Sequence, residues 1–315
     1  MNPAQIRAAH ARIAAHLRVT PVLQLEAGAC GLPAALEAGI ILKLELLQHA
    51  GSFKARGALN RMLSAQSAGQ LPQVGVIAAS GGNHGAAVAW AAQRLGVRAE
   101  IFVPSIASPA KIERIRGFGA AVQVGGANYA AALAASTQRA QASGALVVHA
   151  YDQPETIAGQ GTVALEFEQQ AADLDTVLIA CGGGGLVAGV AAWYAGRVKV
   201  VAVEPESCPT LHAAQRAGAP VEVQTGGLAA DSLGASRIGA LAFGIAQQFV
   251  APVVLVSDAA IRAAQLALWR ELRIAAEPGG AAALAALLSG AYVAQPRERV
   301  GVLVCGGNLD LASLA

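Results

Sequence analysis

Short apolar runs alternate with longer helical runs almost from end to end, and this alternation limits the fold more than any single residue does. Ile40-Ile41-Leu42-Lys43-Leu44-Glu45, Gly75-Val76-Ile77-Ala78-Ala79, Ala99-Glu100-Ile101-Phe102-Val103-Pro104 and Ala121-Val122-Gln123-Val124 have strand length and composition. So do Thr176-Val177-Leu178-Ile179-Ala180, residues 198–203, Val253-Val254-Leu255-Val256 and Val300-Gly301-Val302-Leu303-Val304. Helical runs are read from Lys54 on through Leu59 and Met62, and over residues 86–95, 109–118, 129–142, 161–171, 186–194, 258–272 and 279–288. Thr20-Pro21-Val22-Leu23 is extended, because the residue before a proline avoids the helical region. Residues 226–234 read as an irregular loop. A β-α-β-α order implies parallel sheets with right-handed crossovers. The pattern restarts near Leu146-Val147-Val148-His149, which gives two α/β units side by side. The cleft between them is the default ligand site.

Composition narrows the class. The 315 residues suffice for two domains, and a chain 55% hydrophobic and 13% charged suits buried sheets with Ala-rich helices rather than disorder. A net charge of +2 gives no reason to expect nucleic acid or a membrane surface as partner. No run of eighteen apolar residues is present, so no membrane span is expected. Cys30, Cys181, Cys208 and Cys305 form no C-x-x-C pair, so zinc is not expected. With no signal peptide they read as reduced thiols of a cytoplasmic protein. Residues 1–18 hold arginines and no acid, as transit peptides do, but no serine. Ile6, Ala9, Ile13 and Leu17 share one helical face, so a folded amphipathic helix is expected there.

Four stretches could carry chemistry. In Gly51-Ser52-Phe53-Lys54-Ala55-Arg56-Gly57-Ala58 a single lysine opens a helix among apolar neighbours. Desolvation would lower its pKa and leave a nucleophilic amine of the kind that forms Schiff bases; a plain surface lysine is the alternative. Ile179-Ala180-Cys181-Gly182-Gly183-Gly184-Gly185-Leu186 is strand, glycine loop and helix start, a phosphate-binding arrangement. Gly183, Gly185 and Ala188 also fit G-x-G-x-x-A, with Glu204 near the place of a ribose-binding acid, so a nicotinamide oxidoreductase is a rival. No Gly-Lys-Ser/Thr follows, which excludes a Walker loop. Ser80-Gly81-Gly82-Asn83-His84-Gly85 offers a hydroxyl, an amide, an imidazole and several N–H groups to a carboxylate, or simply caps a helix. Cys305-Gly306-Gly307-Asn308 follows the last strand, where ligands of α/β sheets collect; Cys305 could equally be a small buried hydrophobe.

Together these stretches resemble the serine/threonine dehydratase branch of the fold type II pyridoxal-phosphate enzymes. Ile157-Ala158-Gly159-Gln160-Gly161-Thr162 and Glu277-Pro278-Gly279-Gly280-Ala281 complete the resemblance, in family order over nearly the whole chain. It implies two open parallel-sheet, three-layer α/β domains with the cofactor in the cleft between them. The larger would comprise residues 1–49 and 146–315, the smaller residues 50–145. It implies that Lys54 carries pyridoxal 5'-phosphate as a Schiff base and acts as the catalytic base. Gly182, Gly183, Gly184, Gly185 and Leu186 would cradle the phosphate, Asn83 would meet the ring oxygen, and Cys305 the pyridine nitrogen. The substrate loop would be Ser80, Gly81, Gly82, Asn83 and His84. A neutral thiol at the ring nitrogen suits prompt β-elimination over transamination.

The implied reaction is dehydration of L-threonine or L-serine to 2-oxobutanoate or pyruvate plus ammonia, by a homodimer acting on a small amino acid. A serine racemase and a 3-hydroxyaspartate dehydratase of the same family are alternatives. Gly81 stands where racemases carry a second active-site serine, which argues against racemisation. Some members bind a divalent cation after a Glu-Pro. Glu204 matches its first ligand, but Cys208 could offer only a carbonyl, and Thr210 stands where an aspartate is expected, so no metal is assigned. The chain ends just after Asn308, so feedback control by isoleucine is not expected.

Overall fold

The computed structural model describes residues 1–33, 36 and 38–314. Its strands are β1 (Val22–Leu25), β2 (Ile40–Lys43), β3 (Val76–Ala79), β4 (Ala99–Val103), β5 (Ala121–Val124), β6 (Leu146–Val147), β7 (Thr176–Ala180), β8 (Lys199–Pro205), β9 (Val254–Val256) and β10 (Val300–Leu303). They form a six-stranded sheet in the order β1-β2-β10-β7-β8-β9 and a four-stranded sheet in the order β5-β4-β3-β6. Every pairing is parallel except β1 with β2, where Val22 lies opposite Lys43. The parallel β-α-β reading therefore holds, with one antiparallel edge. β7 is buried along its whole length, as a central strand covered on both faces must be. β6 pairs with β3, so the smaller sheet runs to Val147, just past the boundary expected from sequence.

The helices are α1 (Pro3–Ile13), α2 (Lys54–Ser67), α3 (Asn83–Leu95), α4 (Pro109–Gly117), α5 (Tyr129–Ser143), α6 (Pro154–Gln170), α7 (Gly185–Tyr194), α8 (Thr210–Ala217), α9 (Ala230–Leu233), α10 (Ala240–Phe249), α11 (Asp258–Leu272) and α12 (Pro278–Leu288). α1 begins with a reciprocal cap. Asn2 Oδ1 accepts from Gln5 N at 3.1 Å, and Gln5 Oε1 accepts from Asn2 N at 3.0 Å. It buries Ile6, Ala9 and Ile13 as expected, and stops before Leu17. Three helices depart from the sequence reading. α6 starts at Pro154, well before residue 161; α8 and α10 occupy stretches that sequence left unassigned. The expected loop at 226–234 contains the single turn α9.

α2, which opens at Lys54, is fixed by buried charge. Arg56 donates to Glu45 through Nε at 2.8 Å and Nη2 at 2.7 Å, and to Glu166 Oε2 at 2.9 Å. Lys43 Nζ donates to Glu166 Oε1 at 2.6 Å and to Thr20 O at 2.7 Å. Two cations thus face two carboxylates in the interior and tie α2 to β2 and α6. Glycines allow the helices to close on one another. A Cβ on Gly159 of α6 would lie 2.7 Å from Arg56 O, and one on Gly161 2.7 Å from Gly189 O of α7.

Candidate active site

The loops after β3, β7 and β10 meet at one pocket. Its volume is roughly 460 Å³, part of it open to solvent. Phe53, Lys54, Asn83, Gly182, Gly183, Gly184, Gly185, Leu186, Glu277 and Cys305 are in its wall. Lys54, the glycine run, Asn83 and Cys305 are therefore brought together, as the sequence suggested.

Lys54 Nζ donates to Ala150 O at 2.8 Å and lies 5.2 Å above the Phe53 ring. Burial lowers its amine to about 8, against a smaller opposing pull from Cys305 and Glu277. About a tenth of the amine is thus uncharged at pH 7, far more than for an ordinary lysine. Cys305 Sγ contacts Gly279 O at 3.4 Å, and burial pushes the thiol well above its ordinary range, so it is a neutral group.

The glycine run has a definite polarity. Gly182 O accepts from Thr210 Oγ1 at 2.5 Å, Gly183 O from Gly239 N at 3.2 Å, and Gly184 O from Ala188 N at 2.9 Å. Among the described residues, the N–H groups of Gly183, Gly184, Gly185 and Leu186 meet no protein acceptor. Gly184 adopts φ +86°, a left-handed conformation that favours glycine, and α7 begins at the next residue. Four unpaired donors and a helix N-terminus therefore line one end of the pocket, a receptor for an anion. A side chain at Gly183 would collide with the Tyr151 ring, so the cradle tolerates no Cβ there.

The loop after β3 is less uniform. Of Ser80, Gly81, Gly82, Asn83 and His84, only Asn83 is in the pocket wall. Ser80 Oγ accepts from Gly82 N at 3.1 Å. A Cβ at Gly81 would lie 2.9 Å from Ala107 Cβ and 3.0 Å from Val103 Cγ1, so the position faces the small-sheet side rather than open space. The His84 ring bonds Val148 O at 2.8 Å, and burial, helped by the nearby Lys54 charge, lowers it to about 3. It is neutral and engaged. The N–H groups of Asn83 and His84 at the start of α3 meet no acceptor among the described residues.

Glu277 is the group that sequence reasoning missed. It sits in the quoted Glu-Pro-Gly-Gly stretch, which was the available signal. Its Oε1 accepts from Asn83 Nδ2 at 2.5 Å, and Asn83 Oδ1 accepts from Asn308 Nδ2 at 2.6 Å. Burial raises its carboxyl to about 7. Glu204, by contrast, is turned inward. It accepts from Thr210 Oγ1 at 2.9 Å, Leu211 N at 2.8 Å and His212 N at 2.9 Å, and is not free to meet a ribose. Among the described residues no group of three or more His, Cys, Asp or Glu is placed to hold a metal ion.

A family model described as pyridoxal-phosphate dependent enzyme matches residues 13–306. The chain belongs to this family. The nicotinamide reading of the glycine run gives way to it. The chain is 39% identical over 303 residues to the biosynthetic L-threonine dehydratase of Escherichia coli, covering 94% of this chain and 57% of that one. It is 38% identical to an L-threonine ammonia-lyase of Geobacter sulfurreducens, covering 88% of this chain and 69% of that one. The chain thus spans little more than half the length of the biosynthetic dehydratases it matches. Among solved structures, maize serine racemase superposes with a TM-score of 0.91 at 33% identity, covering 99% of this chain and 95% of that one. A threonine deaminase from T.th. superposes with a TM-score of 0.89 at 33% identity, covering 98% and 99%. The fold is that of a fold type II pyridoxal-phosphate enzyme. The pocket fits such a cofactor. It has an anion cradle for a phosphate, a partly uncharged amine for an aldehyde, and a neutral thiol in its wall.

Proposed function

We propose that the protein is a dehydratase, or ammonia-lyase, that converts L-threonine, L-serine or both to the 2-oxo acid and ammonia. The observation that carries this is the convergence of an amine near pKa 8, an anion cradle and a neutral thiol on one pocket. The relatives named above support the reaction class. The bound cofactor supplies the electron sink for bond changes at the α-carbon.

The chain's own groups supply the rest. Lys54 would hold the cofactor through its amine, and as a free amine it is a base of suitable pKa for the α-proton. Gly182, Gly183, Gly184, Gly185 and Leu186 would hold the phosphate, Asn83 the ring oxygen and Cys305 the ring nitrogen. The neutral thiol places no charge beside that nitrogen, which favours prompt loss of the β-hydroxyl over long-lived charge at the α-carbon. The substrate carboxylate is received by the loop of Ser80, Gly81, Gly82, Asn83 and His84, with His84 giving its N–H rather than its ring. We assign residues 50–148 to the smaller unit and the remainder to the larger, because Ala55, Ala58, Leu59, Met62 and Val148 pack into the smaller core. The resemblance also supports a homodimer in the cytoplasm; no described helix is long and apolar enough to cross a membrane.

The test is to incubate the enzyme with L-serine and with L-threonine, and to measure 2-oxo acid and chiral amino acid in the same sample. We expect 2-oxo acid from at least one substrate and little D-amino acid, since Gly81 offers no second-face acid. That step would otherwise gain about 10²–10⁴-fold from a placed acid. Lys54→Ala should abolish turnover while leaving the circular dichroism spectrum unchanged. D-Serine forming faster than pyruvate would make the protein a racemase.

A further inference from the structure

The glycine run is held from behind by a residue that does not touch the pocket. Thr210 is the first residue of α8 and is fully buried. Its hydroxyl shares a single proton between Gly182 O at 2.5 Å and Glu204 Oε1 at 2.9 Å. Glu204 is itself fixed by Leu211 N and His212 N, so the hydroxyl sits on a rigid support.

A peptide unit is planar and trans, so its C=O and N–H point in opposite directions. Drawing Gly182 O toward Thr210 on the outer side therefore turns Gly183 N–H toward the inner side. Gly182 and Gly183 both line the pocket, whereas Thr210 does not. The next two carbonyls are held by backbone donors, Gly239 N and Ala188 N. The Gly182–Gly183 peptide depends on side chains for its orientation, chiefly the Thr210 hydroxyl at 2.5 Å and more weakly the Cys181 thiol at 3.6 Å. With flexible glycines on both sides, that weak contact from Cys181 Sγ is the one other on Gly182 O among the described residues. It opposes little a flip that would present a carbonyl oxygen to the bound anion.

We propose that Thr210 is a positioning residue for the anion cradle, setting the Gly182–Gly183 peptide so that Gly183 N–H faces the cofactor phosphate. The inference rests on the reading of this pocket as the pyridoxal-phosphate site.

The experiment compares two probes on the whole chain stripped of cofactor: pyridoxal 5'-phosphate, and pyridoxal, which has the aldehyde and ring but no phosphate. Dissociation constants are read from the absorbance change on binding, alongside the melting temperature of the stripped protein. In wild type, pyridoxal phosphate should bind far more tightly than pyridoxal. Thr210→Val keeps the volume and removes the hydroxyl. It should weaken pyridoxal phosphate about 10- to 100-fold, as expected for a lost buried hydrogen bond and a misdirected donor, and leave pyridoxal unchanged. Thr210→Ser should restore the preference. If valine does not fold, Thr210→Ala, which needs less space, is read in the same way. A valine or alanine variant that retains the full preference for the phosphate form overturns the proposal. So does equal weakening of both probes, which is what a merely structural role would give. A wild-type protein with no preference for the phosphate form overturns the cofactor-site reading instead, and this inference with it.

Discussion

At Lys54 the sign of the pH response follows from its burial. Desolvation disfavours the ammonium, and the amine's pKa falls to about 8. Only the neutral amine attacks an aldehyde. Below that value each added pH unit raises the neutral fraction about tenfold, and above it the fraction levels off. The rate at which stripped protein takes up pyridoxal phosphate should therefore climb from pH 6 to about 8 and flatten beyond. Stopped-flow absorbance would measure it; a rate still rising steeply past pH 10 would mean an unperturbed lysine. Lys54 and the glycine run stand out locally in the sequence, Cys305 only by its place after the last strand, and the structure brings all three to one pocket. Glu277 was not legible there, because its standing comes from burial and from contact with Asn83, far away in the chain. At His84 the limit is the same. Sequence shows a titratable group, but only the structure shows Val148 O occupying it.

Elements were legible where periodicity was strong and obscure where packing overrode propensity. Gly159 and Gly161 argue against a helix on propensity alone, yet both lie inside α6, which begins at Pro154. Their missing side chains are what let α6 approach α2 and α7, and that contact outweighs the local cost. α2 is secured in the same region by Arg56. Arg56→Met would leave the carboxylates of Glu45 and Glu166 facing Lys43 alone, and breaking a buried pair in this way costs about 3–5 kcal/mol. Urea unfolding followed by circular dichroism should show a loss of that size; a loss under about 1 kcal/mol would mean that the network relaxes freely. The pH dependence has a definite sign. Burial would raise the Glu166 carboxyl, but the Arg56 and Lys43 charges outweigh it, so its pKa is lowered. The stability it confers is present above the ordinary carboxylate range and is lost as pH falls through the lowered value. In Arg56→Met that loss should begin at higher pH.

For the molecule as a whole, the alternation of strand and helix made the two-sheet architecture legible, while its single antiparallel strand was not. β1 reads only as an extended piece after a proline, and its partner β2 is separated from it by residues with no hairpin signal. The sheets contribute different parts of the pocket: Asn83 stands at the end of the smaller, the glycine run and Cys305 at the ends of strands in the larger. Away from the pocket, Arg56 and Asn60 of α2 already join the smaller unit to Glu45, Glu166 and Glu155 O of the larger; across the pocket mouth the contacts are lighter. Asn83 meets Glu277 and Asn308, and Lys111 of α4 reaches Asp231 of α9 at 2.6 Å from a largely exposed carboxylate. Exposed ion pairs of this kind contribute about 0–1 kcal/mol. A ligand gripped from both sides is then a fastener as well as a reagent. At a hundredfold excess over its dissociation constant it adds about 2.7 kcal/mol to the folded state. Limited proteolysis should accordingly cut the stripped protein faster than the loaded one, and equal rates would show that the halves hold together unaided. Because proteases in the cell remove what opens, a cell short of the cofactor would lose the protein itself as well as its activity.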